Sequence, residues 1–259
     1  MKQSEPYWNL DIKNLPWAED TENEVNFIIK ALKLAGTERI LDLACGFGRH
    51  SLELARRGFS VVGVDITEEY IDDAILTAEK ESLNIAFLQS NVRDVDYSEE
   101  FDVVLSLGGG AIGFLENDAE NLKIFDVAIK ALKPGGKHFI DIFNADHAER
   151  CFPRKNWQAG RTALSLTQFE WEPITRCMKY GRCHIRYGSP IEPLPPNINL
   201  NDEIPTRLYS LTELKEIYKQ RRMEIMASYS NFYGKEATDK ELKLLVCSQK
   251  QGIGSANSL

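Results

Sequence analysis

A glycine turn, DLACGFGRH at residues 42–50, has the composition and spacing of a ligand-binding loop. Gly46 and Gly48 lie two residues apart, between a predicted strand and a predicted helix. Glycines let the backbone approach a ligand closely, and the first turn of a helix exposes backbone N–H groups. Asp65 ends the next predicted strand, 17 residues after Gly48, where a carboxylate can accept hydrogen bonds from ribose hydroxyls. We therefore predict a nucleotide-type ligand here, with a helix N-terminal cap as the alternative role for Asp65.

The same turn lacks a feature that dinucleotide sites need. Such sites usually carry a third glycine, so that a pyrophosphate can sit on the helix N-terminus. That position is Ser51 here, and Asp42 stands before the turn, where its charge repels phosphate. The pattern favours a cationic or amino-bearing ligand over a dinucleotide.

Short β-prone runs alternate with helical patterns from residue 20 to residue 145. The runs lie at 39–44, 60–65, 85–90, 101–107 and 137–143. Helices are predicted from a capping-box pattern at Thr21 and Glu24 to Gly36, at 48–57, at 67–80, and from Asn117 to the KPGG sequence at 133–136. Parallel strands need such crossovers. We predict an α/β fold: a doubly wound, Rossmann-like, seven-stranded and mostly parallel sheet whose last strand is antiparallel, with an inserted β-hairpin cap.

The cap and the remaining segments follow from breaks in this pattern. Two β-prone runs, 163–172 and 176–187, predict a hairpin, and a connection with five prolines follows at 188–205. A second capping box, at Ser210 and Glu213, and two last strands return the chain to the core. We predict an N-terminal aromatic segment at 1–20, the core at 21–149 and 206–250, the inserted β cap at 150–205 and a disordered tail at 251–259.

At the glycine turn the sequence resembles the class I S-adenosylmethionine-dependent methyltransferases, of the bacterial type that acts on small molecules. Their first motif is an acid followed by a glycine-rich turn, although Ala44 stands here where the family usually has glycine. The sequence LKPGG at 132–136 is another family hallmark. The resemblance implies S-adenosylmethionine as cofactor, S-adenosylhomocysteine as product, Asp65 at the ribose and Asn91 at the adenine. It assigns cofactor binding to Asp42, Ala44, Cys45, Gly46, Gly48, Asp65, Ile66, Asn91, Val92 and Leu107.

Residues for the methyl acceptor are sought near the carboxyl edge of the sheet. His147, just past the fifth strand, is the candidate general base, with an exposed loop histidine as the alternative. His138 is expected to be buried, His184 to lie on the surface and His50 to have a structural role or touch the cofactor. Eight basic and two acidic side chains between 150 and 187 give that segment a net charge of +6. The predicted substrate residues are Tyr7, Trp8, Trp17, Arg182 and Arg186.

Other features set aside several activities and partners. The SLGGG sequence at 106–110 replaces the motif of enzymes that methylate exocyclic amines, and Ser106 and Asn144 replace the acids of magnesium-dependent relatives, so no metal is expected. A net charge of −8 disfavours nucleic acid, and no apolar run predicts a membrane span. We predict a cytoplasmic methyltransferase that acts on an N or O atom of a small metabolite. Anionic metabolites are among the expected acceptors. A macromolecular methyltransferase, a non-catalytic cofactor-binding module and a homodimer formed through the hairpin stay open as alternatives.

Overall fold

The computed structural model describes residues 10–190 and 205–252, which form two sheets and six α-helices. The strands are β1 (Arg39–Leu43), β2 (Ser60–Asp65), β3 (Ile85–Gln89), β4 (Phe101–Ser106), β5 (Leu132–Phe143), β6 (Arg154–Ala159), β7 (Ala163–Glu172), β8 (Cys177–Arg186), β9 (Thr206–Arg207), β10 (Met223–Tyr229) and β11 (Lys243–Lys250). The larger sheet has the order β10-β11-β5-β4-β1-β2-β3, and β11 is antiparallel to both of its neighbours. The predicted seven-stranded, mostly parallel sheet is confirmed.

Helices cover both faces of this sheet, as in other doubly wound folds. They are α1 (Thr21–Leu32), α2 (Arg49–Arg56), α3 (Glu68–Lys80), α4 (Asp118–Ala131), α5 (Ala145–Cys151) and α6 (Leu211–Gln220). One buried apolar cluster lies between the sheet and α4 and α6, and a second lies between the sheet and α1 and α2. Among the described helices, none is both long and apolar enough to cross a membrane.

The two predicted capping boxes have different outcomes. Ser210 and Glu213 form the reciprocal pair of hydrogen bonds at the start of α6, as predicted. The prediction for Thr21 and Glu24 is wrong: α1 begins at Thr21, but no side chain caps it, and Glu24 is buried against His50. Helix α1 also ends at Leu32, before Gly36, where the sequence placed its stop. A buried partner outside the helix therefore overrides the local capping pattern.

The cap is larger than the hairpin that the sequence predicted. It is a four-stranded antiparallel sheet of order β6-β7-β8-β9, reached from the core through α5. Strand β6 was missed because its six residues are all exposed and mostly polar, which leaves no apolar alternation to detect. Strand β9 pairs with β8 through two residues only, at the point where the sequence predicted that the core resumes. Most of the proline-rich connection, at 191–204, and most of the tail lie outside the described residues.

A buried histidine lies inside the larger sheet, under α6. The imidazole of His138 is fully buried, with Nδ1 at 3.0 Å from the Tyr218 hydroxyl and Nε2 at 3.2 Å from Ser106 Oγ. Tyr218 can donate to Nδ1 while the Nε2–H donates to Ser106, so a neutral ring satisfies both contacts. Burial lowers the pKa of His138 to about 3. The ring is therefore neutral in the folded chain at pH values where it is charged in the unfolded chain.

This difference predicts acid sensitivity of the fold. Because the pKa of His138 is lower in the folded state, its contribution to stability is lost as pH falls below the ordinary histidine pKa of about 6.5. Between pH 7 and pH 5 the free energy of unfolding should fall by about 2 kcal/mol through this group alone. Urea unfolding measures this free energy at the two pH values. In His138→Gln the fall between pH 7 and pH 5 should be smaller than in the unmodified protein by that amount. An equal difference in both proteins would contradict the assignment.

Candidate functional site

The glycine turn between β1 and α2 is built from left-handed backbone conformations. Ala44, Gly46 and Gly48 have φ values of +58°, +57° and +74°. A Cβ atom at Gly46 would meet no atom within 4 Å, so the backbone there borders open space, whereas at Gly48 it would come within 2.8 Å of the Phe87 ring. The turn is also tied to β2, since the Cys45 N–H donates to the Val64 carbonyl. A ligand can therefore approach the backbone at Gly46, while Gly48 is required by packing.

Asp42, at the end of β1, supplies a buried acceptor with spare capacity. Its side chain is 1% exposed, Oδ2 accepts a hydrogen bond of 2.6 Å from the Ser51 hydroxyl, and Oδ1 has no hydrogen-bond partner among the described residues. Burial raises the pKa of Asp42 to about 7, although the Ser51 hydroxyl opposes the rise. A buried acceptor without a partner costs free energy. An amino group of a bound ligand fits this oxygen.

Asp65 is oriented by two backbone N–H groups. Its Oδ2 accepts from Gly46 N at 2.8 Å, and its Oδ1 accepts from Thr67 N at 2.9 Å. Each carboxylate oxygen retains further acceptor capacity for a ligand hydroxyl. The N-cap of α3 is Thr67, so Asp65 does not have the alternative role of a helix cap. Next to it the side chain of Ile66 is 49% exposed and offers an apolar surface beside the carboxylate.

The residues expected at the adenine and the methionine amine contribute in different ways. The Asn91 side-chain oxygen accepts from the Arg93 backbone N–H at 3.0 Å and from Arg93 Nε at 3.2 Å. An adenine amino group would have to replace the second of these donors. Val92 and Leu107 are buried in the two apolar clusters, and the Leu107 carbonyl accepts from Gly110 N. These two residues pack the edge of the site with their side chains.

The N-terminal segment covers the glycine turn through two cation–aromatic contacts. Lys13 Nζ lies 5.6 Å from the Phe47 ring centroid and forms an ion pair with Asp73 on α3. The Arg49 guanidinium lies 5.5 Å from the ring of Trp17, which is 41% exposed. Such contacts contribute roughly 0.5–1 kcal/mol each at exposed positions. They place Trp17 at the opening of the turn, whereas Tyr7 and Trp8 lie outside the described residues.

A buried charge cluster behind the turn was not found from the sequence. Glu24 accepts from Arg49 at 2.5 Å and contacts His50 Nε2 at 2.7 Å. Burial would raise the pKa of Glu24, but the His50 hydrogen bond and the Arg49 charge outweigh it and lower the pKa to about 2. Burial and Arg49 together lower the pKa of His50 to about 4. The cluster fixes the first turn of α2. His50 therefore has the structural role that was one of its two predicted roles.

One face of the cap is directed towards the core. Directly paired residues of antiparallel strands point to the same side. The inner cap face therefore comprises Ala163, Ser165, Thr167, Phe169 and Trp171 on β7 and Met178, Tyr180, Arg182, His184 and Arg186 on β8. At its root, Phe169 and Met178 are buried in one cluster with Ala145 and Ala148 of α5. This packing directs the same face, with Arg182 and Arg186, towards the sheet.

An electrostatic interaction and a hydrogen bond relate the other end of the cap to the glycine turn and the N-terminal segment. Burial raises the pKa of Tyr70, and the nearby Arg182 charge opposes the rise. The Tyr70 ring in turn meets the Phe47 ring edge to face at 6.3 Å. At the β6–β7 turn the Arg161 N–H donates to Glu19 of the N-terminal segment at 2.8 Å. The cap thus contacts the N-terminal segment, and Arg182 lies close enough to Tyr70 to act on its charge.

His147 does not have the surroundings of a general base. Its side chain is 3% exposed, its Nδ1–H donates to the Lys240 carbonyl at 2.8 Å, and its buried Nε2 has no partner in the described part of the chain. The ring packs edge to face on Phe152. These contacts hold α5 against the loop before β11, which is a structural role. Within residues 10–190 and 205–252, no three His, Cys, Asp or Glu side chains are grouped as a metal site.

Comparison with known proteins identifies this arrangement. Residues 40–136, which contain the glycine turn, Asp65 and Asn91, match the family described as "Methyltransferase domain". The fold matches the CcbJ methyltransferase of Streptomyces caelestis over 95% of this chain and 94% of that one, with a TM-score of 0.71 and 19% identity. Residues 40–136 therefore contain a methyltransferase domain, and the fold around them is shared with S-adenosylmethionine-dependent methyltransferases of known structure. A methyltransferase of Clostridium acetobutylicum matches with a TM-score of 0.73 and 16% identity over 93% of this chain and 96% of that one.

The sequence relatives match this chain over a smaller share of their own length than the structures do. A putative methyltransferase of Geobacillus is 28% identical over 56% of this chain and 60% of its own length, and one of Bacillus subtilis is 33% identical over 44% and 46%. The match therefore spans about half the length of these two relatives. A ubiquinone biosynthesis O-methyltransferase of Marinobacter nauticus is 25% identical over 68% of this chain and 85% of its own length.

The first prediction for the site concerns Asp65. Asp65→Ala should weaken the binding of S-adenosylhomocysteine by about 1–3 kcal/mol, because bonds from the ribose hydroxyls are lost and Gly46 is left without its acceptor. Asp65→Asn, which keeps one carbonyl oxygen, should weaken it less. Calorimetry measures both, and thermal unfolding checks that each variant is folded. If the unmodified protein bound NAD and did not bind S-adenosylhomocysteine, the cofactor assignment would be wrong.

The second concerns Asp42 and pH. Since the pKa of Asp42 is about 7 without ligand, binding of an ammonium group below pH 7 requires loss of a proton. Affinity for S-adenosylhomocysteine should therefore be about tenfold higher at pH 8 than at pH 6. Asp42→Asn should bind more weakly at pH 8 and show little change between the two values. A pH-independent affinity in the unmodified protein would show that Asp42 does not pair with the ligand amine.

Proposed function

We propose that this methyltransferase transfers the methyl group of S-adenosylmethionine to an N or O atom of a small metabolite that carries an anionic group. The acceptor binds between the glycine turn and the inner cap face. The observation that carries this proposal is the register of β7 and β8, which puts Arg182 and Arg186 on one face, together with the proximity of Arg182 to Tyr70 at the glycine turn. Two guanidinium groups on one wall of a cleft attract a carboxylate or a phosphate.

The residues of the chain have separate tasks in this proposal. Asp42 accepts from the cofactor amine, Asp65 from the ribose hydroxyls, and Ile66 lies against the base. When bound, the cofactor supplies a methyl group that is already activated by its sulfonium. The protein then contributes mainly by orienting the acceptor and by excluding water. Trp17 and the cap border the cleft from two sides and reduce its contact with solvent.

Two sequence relatives support nitrogen or oxygen as the acceptor atom in this proposal. A ubiquinone biosynthesis O-methyltransferase and a glycine/sarcosine N-methyltransferase of Aphanothece halophytica, 32% identical over 50% of this chain and 49% of its own length, both match. A structural neighbour from Burkholderia thailandensis, with a TM-score of 0.57, 15% identity and coverage of 91% of this chain and 80% of that one, holds 1,6-didemethyltoxoflavin and S-adenosylhomocysteine. Small acceptors are thus in keeping with these relatives.

Incubation with methyl-labelled cofactor and a metabolite extract tests the proposal. The label should appear in a low-molecular-weight fraction retained on an anion exchanger. Label in RNA or in protein alone would replace the proposal with a macromolecular methyltransferase. If the cofactor binds but no label is transferred to metabolites, RNA or protein, the chain is a non-catalytic cofactor-binding module.

Charge reversal tests the role of the cap. With the labelled metabolite as substrate, Arg186→Glu and Arg182→Glu should raise KM about tenfold or more, and more strongly at low salt, because an attraction is replaced by a repulsion. Lys179→Glu makes the same change on the opposite face of β8 and should alter KM less than twofold. The affinity for S-adenosylhomocysteine should stay nearly the same in Arg186→Glu and Lys179→Glu.

Equal effects of the three variants would remove the anionic-substrate proposal. The predicted homodimer is the competing use of this surface, since the exposed edge strand β6 could pair with a second cap. The molecular mass in solution separates the two. A dimer that dissociates in Arg182→Glu would place the arginines in a subunit interface.

A further inference from the structure

The four histidines of the chain differ in what surrounds their rings. His50 and His138 are buried, and each is hydrogen-bonded to a buried side chain. His147 is buried too, with its Nδ1–H on a backbone carbonyl. His184 on β8 is exposed, and its ring nitrogens have no hydrogen-bond partner among the described residues. It is therefore the histidine whose ring can meet a molecule that enters from solvent.

The position of His184 is bracketed by two contacts of the cap. On one side, Arg182 is two residues away on the same face and acts on Tyr70 at the glycine turn. On the other side, Arg186 pairs with Ala163, whose carbonyl accepts from Gly160 N, and Gly160 packs against Pro16 of the N-terminal segment. His184 lies between these points and opposite Ser165. His184 therefore lies on the inner cap face, between one residue that acts on Tyr70 and one next to the contact with the N-terminal segment.

The carboxylates on the described strands of the cap lie away from this face. The described strands β6, β7 and β8 carry two carboxylates, Glu170 and Glu172, and the register puts both on the opposite side of the sheet. The carboxylates at the glycine turn, Asp42 and Asp65, are buried and bonded to Ser51 and to backbone N–H groups. Among the described residues, the inner cap face therefore carries one imidazole, that of His184, and no carboxylate.

The surroundings of His184 favour the neutral form of its ring, which can accept a proton. Partial burial lowers the pKa of His184, and the neighbouring Arg182 lowers it further. The other titratable groups that border this region are Arg186 and Tyr180 on the same strand, Tyr70 beside the turn, and Arg161 with Glu19 at the N-terminal contact. At neutral pH the imidazole is neutral and keeps one nitrogen lone pair.

We propose that His184, and not His147, is the catalytic base that takes the proton from the methyl acceptor. This inference rests on the proposed function. The acceptor nitrogen or oxygen forms a bond to the methyl carbon with its lone pair, and the carbon–sulfur bond breaks with its electron pair left on sulfur. The proton of the acceptor N–H or O–H passes to the ring nitrogen of His184 and then to water. Arg182 and Arg186 hold the anionic group of the same acceptor on either side of the ring.

Histidine NMR tests this position without an acceptor. In protein labelled at the histidine rings, four signals are expected, and His184→Gln assigns one of them. Saturation with S-adenosylhomocysteine and with S-adenosylmethionine compares two ligands that differ by a methyl group and a positive charge. If His184 faces the methyl group, its pKa should be lower with the charged cofactor than with the product. The signal of His147 should move by the same small amount with both ligands.

The outcomes separate the two proposals. If calorimetry detects neither ligand, the proposed function fails and this inference fails with it. If both bind and the His184 signal titrates identically with each, the ring does not face the methyl group, and this inference alone is wrong.

Kinetics then tests the proton transfer itself. With the metabolite that becomes labelled, His184→Gln should lower kcat about a hundredfold at pH 7. The loss should shrink as pH rises and the acceptor loses its proton to solvent. KM for the cofactor should stay within twofold. A kcat within threefold of the unmodified enzyme, or a loss that does not change with pH, would overturn the assignment of a base.

Discussion

The site depends on one hydrogen bond, from the Gly46 N–H to Asp65 Oδ2. Strands β1 and β2 are parallel neighbours in register, with Leu43 opposite Val64, so the loops that follow them leave the same edge of the sheet side by side. The bond joins these loops directly. It fixes the backbone of the glycine turn and, at the same time, the direction in which the Asp65 carboxylate presents its remaining acceptor capacity. It acts together with the hydrogen bonds from Cys45 to Val64 and from Thr67 to Asp65.

This arrangement requires two carboxylates, Asp42 and Asp65, to be buried close to each other, which raises the pKa of Asp42. Part of the cost is offset by the Arg49 charge, which follows Gly48 directly and is held in turn by Glu24. The rest stays in the structure as an acceptor oxygen without a partner. A cationic ligand removes this cost when it binds. The buried charges behind the turn and the choice of ligand in front of it are thus parts of one electrostatic balance.

The sequence was sufficient to predict the core because its signals are local. The alternation of β-prone runs and helices fixed the order of elements, and the spacing of Gly46, Gly48 and Asp65 depends only on adjacent strands. The errors arose where tertiary contacts decide. Glu24 follows the capping pattern but pairs with His50, 26 positions away, and His147 follows the fifth strand but turns its ring to the loop before β11. The role proposed for His184 depends on the pairing of β7 with β8 and on where that hairpin packs, neither of which a single sequence encodes locally.

The cap is joined to the core by contacts that also shape the cofactor edge. The Arg207 N–H donates to the Gly113 carbonyl at 2.8 Å, and Arg207 on β9 pairs with β8 of the cap. A Cβ atom at Gly113 would lie 2.1 Å from the Arg207 carbonyl oxygen, so only glycine permits this approach. The loop after β4 and the root of the cap therefore cannot move independently without loss of these bonds. The outer part of the cap, from Arg182 to Arg186, belongs to a separate sheet whose described strands do not pair with those of the core sheet. Residues there can differ in charge and shape while the cofactor half is kept, which is why the choice of acceptor is expected to reside in the cap.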